Sequence, residues 1–86
     1  SPAVTLFEGL CRDGATVAVC DPYVTEEIAR HLPARRVELT AEEIDGADAV
    51  VLVTDHAAFD YELITSHASY LLDTRHRLEG PNVEHL

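Results

Sequence analysis

The chain reads as a small α/β domain, a three-layer Rossmann-like sandwich around a small parallel sheet of about four strands. Three apolar runs predict it, each ending in a short polar signature: Val17-Ala18-Val19-Cys20 into Asp21-Pro22, Ala49-Val50-Val51-Leu52-Val53 into Thr54-Asp55-His56, and Tyr70-Leu71-Leu72 into Asp73-Thr74-Arg75. The runs are continuous rather than alternating, as in parallel strands covered by helices on both faces. Between them lie helix signals, and the βα alternation implies right-handed crossovers. Parallel strands end on one edge, where open α/β sheets bind ligands.

Taken in order, Ser1-Pro2 is a helix start, a capping Ser followed by Pro at the first helical position. Ala3, Leu6, Phe7, Leu10 and Cys11 then share a face, and Gly14 supplies the stop. A strand follows at 17–20. Thr25 heads a short helix over 26–32, with acids in its first turn and Pro33 beyond its last. Residues 36–39 form an edge strand. Thr40-Ala41-Glu42-Glu43 is a capping box for a helix ending near Gly46. A strand at 49–53, a mostly helical stretch over 57–68 with Leu63 and Ile64 inward, a strand at 70–72 and a polar tail over 75–86 complete the order. Folds of this kind open on a central strand, whereas this chain opens on a helix. The expectation is that the founding strand is missing, that strands 17–20 and 49–53 pair directly in a monomer, and that 36–39 and 70–72 lie outside them.

With 86 residues and 47% hydrophobic content, the chain is one small domain with enough apolar mass for a core. Sixteen acidic residues face six basic ones, all arginine, for a formal charge of -10. Such a surface repels phosphate backbones and anionic membranes, which argues against nucleic acid or membrane as partner. No apolar stretch reaches the length of a membrane span, and no basic leader-like segment is present; the expectation is a cytoplasmic domain. Cys11 and Cys20 lack any C-x-x-C or His-Cys ligand spacing and read as reduced, packed thiols, with a disulfide left open.

The strand-end signatures divide by chemistry. Asp21-Pro22 reads as a turn, because no G-x-G-x-x-G accompanies it. Asp55-His56 beside Asp60 lacks a third ligand at defined spacing, so no metal site is expected; Asp55-His56 caps the following helix or lines the sheet edge. No nucleophile and base can be assembled from Ser66, Ser69 or either cysteine. Arg75, with His76 and Arg77, is different: a basic cluster at a strand end in an acidic chain. Two readings stand. One is a salt bridge to an acid such as Asp73 or Asp55. The other is an exposed guanidinium fork aimed at a phosphate.

Ser1-Pro2-Ala3, then Gly14-Ala15-x-Val17 leading to Asp21-Pro22, then Ala47-Asp48-Ala49-Val50-Val51 leading to Thr54-Asp55-His56-x-x-Phe59, then Asp73-Thr74-Arg75, form an ordered set over essentially the whole chain. That set resembles the C-terminal, UDP-binding domain of the UDP-glucose/GDP-mannose dehydrogenases. The resemblance implies a Rossmann-like domain, residues 1–86, excerpted from a larger enzyme. That enzyme uses NAD to oxidise a UDP-sugar, UDP-glucose or a UDP-N-acetylhexosamine, at C6 to the uronic acid, a step of polysaccharide biosynthesis. It also implies that Arg75 contacts the nucleotide-sugar. The family's catalytic cysteine and lysine belong upstream of Ser1, so no catalytic residue is expected here. NAD is expected to be bound by the rest of the enzyme, which is expected to be a homo-oligomer although this piece is a monomer. The alternative is a non-catalytic, flavodoxin-like regulatory or protein-interaction domain.

Overall fold

The structure is a computed structural model that describes residues 2–21 and 34–86. The helix expected over 26–32 lies outside the described residues. The chain divides into two units, Ser1–Glu38 and Leu39–Leu86.

In the first unit, α1 spans Pro2–Arg12. Ala3, Leu6, Phe7, Leu10 and Cys11 are all half-buried while Thr5, Glu8 and Arg12 are exposed, the stripe expected from the 3–4 spacing. Gly14 ends the helix at φ 95°, a left-handed conformation that costs glycine nothing. Its N–H bonds Cys11 O at 3.1 Å and the Ala15 N–H bonds Leu10 O at 3.0 Å, which together make a Schellman cap. Strand β1 (Ala18–Val19) pairs in parallel with β2 (Arg35–Arg36), Ala18 opposite Arg35 and Val19 opposite Arg36. The edge strand thus begins one residue before the expected 36–39. Both cysteines are half-buried and neither forms a disulfide with the other.

The second unit carries the larger sheet. Helix α2 (Ala41–Asp45) is capped by Thr40, whose Oγ1 accepts the Glu43 N–H at 3.2 Å, as the capping-box spacing requires. Strand β3 is Val50–Leu52, and α3 is Tyr61–His67, shorter than the stretch expected over 57–68. The cap explains the late start: Asp60 accepts the Leu63 N–H at 3.1 Å, so the first turn begins only at Tyr61. Helices α2 and α3 pack together, and His67 Nδ1 lies 2.8 Å from Asp45 Oδ1.

Two expectations fail in this sheet. Strand β4 (Leu71–Asp73) is central rather than outside, lying parallel to both β3 and β5 (Val83–His85). Strand β5 occupies the segment read as a polar tail. That segment was opaque because Val83-Glu84-His85 holds one apolar residue in three, while the ladder to β4 and two Asn82 bonds supply its ordering. Asn82 Nδ2 donates to Thr65 O and Ala68 O, both at 2.9 Å, tying the start of β5 to the end of α3. Nor do the strands form one sheet. The ladders are β1–β2 and β3–β4–β5, and the direct pairing expected between residues 17–20 and 49–53 is not among them. What stands is a small α/β domain with parallel strands in two small sheets. Each strand also has an in-unit neighbour more local in sequence, whose pairing closes a shorter loop.

The core belongs to the second unit: Ile44, Leu52, Ile64, Ala68, Leu71 and Leu78, with Leu39, Val50, Phe59, Tyr61, Leu63 and Val83 against them. Leu71, the first residue of the middle strand, has no exposed surface. Burying a side chain of this kind contributes roughly 1.5–3 kcal/mol.

Candidate functional site

The site is built where β3 and β4 end, at the row in which Leu52, Asp73 and His85 stand side by side. The three residues of the last signature have three separate tasks. Asp73 is the one fully buried charged side chain among the described residues. Its Oδ1 accepts the Arg75 N–H at 2.9 Å, and its Oδ2 accepts the N–H groups of Arg77 at 2.6 Å and Leu78 at 2.7 Å. Burial alone would raise its pKa. The N–H donors of Leu78, Arg75 and Arg77 outweigh that, helped by nearby His85, and hold the carboxyl below its ordinary value. Thr74 latches the loop to β3: its N–H and its hydroxyl both bond Leu52 O, at 3.1 and 2.8 Å. Arg75 is exposed, and among the described residues its guanidinium has no ion-pair partner.

The salt bridge weighed for Arg75 is therefore not formed. Asp73 spends its lone pairs on backbone N–H groups, and Asp55 pairs with the other arginine. Arg77 Nε lies 3.4 Å from Asp55 Oδ1, and its guanidinium carbon sits 4.5 Å from the Tyr61 ring centre. The Tyr61 hydroxyl donates to Asp55 Oδ1 and accepts the His56 N–H at 2.8 Å. Desolvation, and then the bond to Asp55, raise the phenol pKa, so the hydroxyl keeps its proton across the neutral range. His56 Nδ1 accepts the Ala58 N–H at 2.9 Å, and Phe59 meets Tyr61 edge-on at 6.2 Å. Asp55 and His56 thus line the strand end, and the helix cap weighed for them falls to Asp60.

The pairing of His76, singled out above only as part of a basic cluster, with His85 is what sequence reasoning missed. Their rings stack at 4.8 Å with 22° between planes. His76 Nε2 lies 2.8 Å from Leu86 O, and His85 Nε2 lies 2.6 Å from Leu78 O and 3.7 Å from Asp73 Oδ2. The partner histidine was hidden because it sits on the unrecognised β5. Among the described residues, no group of three or more His, Cys, Asp or Glu could hold a metal ion. No helix there is long and apolar enough to cross a membrane.

This strand-end arrangement sits in a chain whose residues 1–80 match the UDP-glucose/GDP-mannose dehydrogenase family, UDP binding domain. The chain belongs to that family. The matched span runs from the start of the first helix past the loop that carries Arg75. No curated protein and no solved structure matches the chain significantly. As a UDP-binding domain of the dehydrogenase family it is assigned a nucleotide-binding role, and the Asp73-Thr74-Arg75 loop is its candidate site. The family implies NAD, yet the chain has no G-x-G-x-x-G loop. Gly9 lies inside α1 and Gly14 forms its cap, so these residues do not fit a dinucleotide.

Proposed function

We propose that this chain is the nucleotide-sugar-binding domain of an NAD-dependent UDP-sugar 6-dehydrogenase, and that Arg75 binds the diphosphate or the sugar. One observation carries the reading: Arg75 is exposed and has no partner among the described residues, on a loop whose backbone is fixed by Asp73. In a chain of formal charge -10, a guanidinium at a strand end with no acidic partner among the described residues is open to an anion. The guanidinium is a fork of donors suited to phosphate oxygens. Its loop is held before the ligand arrives, which lowers the ordering cost of binding. UDP-glucose and the UDP-N-acetylhexosamines are the substrate candidates, oxidised to uronic acids in the cytoplasm for polysaccharide synthesis. Hydride transfer, nucleophile and base belong to other segments of a homo-oligomeric enzyme, and this chain supplies binding.

UDP titration tests it. A charge-assisted hydrogen bond contributes about 1.5–3 kcal/mol, so Arg75→Ala is expected to weaken UDP binding by about 10- to 100-fold with little change in melting temperature. Arg75→Lys restores part of the loss, because a point charge cannot reproduce the fork. Unaltered UDP binding in Arg75→Ala removes Arg75 from the site. In a separate assay the chain mixed with NAD and a UDP-sugar is expected to produce no NADH absorbance; a rate that scales with protein and survives repurification contradicts the division of labour.

A further inference from the structure

We propose that His76 is a positioning residue for Arg75, holding the loop in the one backbone conformation that keeps the two arginines apart. The inference rests on the reading of Arg75 as an anion ligand. Among the described residues other than glycine, His76 alone has a positive φ, at 55°. Left-handed backbone is sparsely populated by residues with a Cβ, though histidine enters it more readily than most, and it persists where the surroundings over-determine it.

The surroundings here are specific. The His76 ring is stacked on His85 at 4.8 Å, and its Nε2 donates to Leu86 O at 2.8 Å, so both a face and an edge of the ring are engaged by β5 and the residue after it. His85 is itself fixed, its Nε2 donating to Leu78 O at 2.6 Å, at the far end of the same loop. The turn at residue 76 lies between Arg75, which is unpaired and exposed, and Arg77, which is drawn to Asp55 and Tyr61. Asp73 fixes where the N–H groups of residues 75, 77 and 78 point, and it makes no bond to residue 76. The stacked ring therefore supplies the constraint that the carboxylate leaves out. Without it the segment between the two fixed N–H groups is free to rotate, and Arg75 samples directions that include the acidic surface.

A double-mutant cycle on this chain, read by UDP titration at a temperature where every variant is folded, tests the coupling. His76→Gly keeps the left-handed backbone accessible and deletes the ring, so the fold survives. UDP affinity is expected to fall about 3- to 10-fold when Arg75 is present and less than about twofold in the Arg75→Ala background, the non-additivity of residues that act through one another. His85→Gln retains a donor for Leu78 O and removes the stacking partner; its loss is expected to be confined likewise to proteins that carry Arg75. An equal loss in both backgrounds overturns the proposal, since the ring would then touch the nucleotide or only support the fold. Unchanged affinity in His76→Gly, with Arg75→Ala still weakened, overturns the positioning role and leaves the Arg75 reading standing. Unchanged affinity in Arg75→Ala overturns both.

Discussion

The ends of β3 and β4 each set an aspartate against the loop that follows, Asp55 and Asp73, but the two aspartates are used in opposite ways. Asp55, after β3, is 43% exposed and engages side chains: the Tyr61 hydroxyl and the 51% exposed Arg77. Asp73, at the end of β4, has no exposed surface and engages backbone: three N–H groups of the loop that follows it. A carboxylate that binds side chains consumes them. One that binds backbone orders a loop and leaves its side chains outward and unspent. Arg77 and Arg75, two residues apart, are the product of that difference, the first occupied by the β3 loop and the second available. The difference also separates stability from binding, because a half-exposed ion pair contributes about 0–1 kcal/mol whereas a buried carboxylate with several donors contributes far more.

Removing the buried carboxylate gives the largest effect. Asp73→Ala strands three N–H groups, including the buried one of Leu78, and is expected to destabilise the chain by about 3 kcal/mol or more. That is a large share of the roughly 4–13 kcal/mol available to a chain of this length. Chemical denaturation measures it, and a loss below about 1 kcal/mol would mean that the loop holds itself without the aspartate.

Acid titration sharpens the same point. The folded pKa of Asp73 is lowered, so its contribution is fully present above the ordinary carboxyl value and lost as pH falls through the folded value. Stability should therefore drop below about pH 4, the ordinary carboxyl range. Asp73→Asn, measured beside the parent chain, should flatten that part of the acid limb.

Smaller effects belong to the β3 loop. Tyr61→Phe removes the hydroxyl that joins Asp55 to the His56 N–H, and is expected to cost about 1 kcal/mol in thermal or chemical melts. The effect on UDP affinity should be under about twofold, since the phenol binds the loop rather than the ligand. A loss of affinity larger than the loss of stability would join the two loops into one binding unit.

Where the sequence was legible, the physics was local. The Gly14 cap, the Thr40 capping box and the parallel run through Leu52 follow from nearest neighbours along the chain, and the structure reproduces them. Asp73-Thr74-Arg75 was legible as a strand end. Which arginine would be left free was not, because it depends on Tyr61 and Asp55 arriving from another loop. Strand β5 was invisible for the same reason: its order comes from β4 and from Asn82 bonding the end of α3, contacts that no alternation within Val83-Glu84-His85 encodes. Losing β5 from view also hid His85, and with it the stack that holds His76.

The central claim is that Arg75 is the ligand-binding arginine and Arg77 the structural one, and calorimetric titration of UDP into Arg75→Ala and Arg77→Ala side by side tests it most directly. The account predicts that Arg75→Ala loses about 10- to 100-fold in affinity while Arg77→Ala stays within about threefold of the parent chain, a surface ion pair and a cation–π contact being all that it forfeits. Equal losses, or a larger loss in Arg77→Ala, would contradict it.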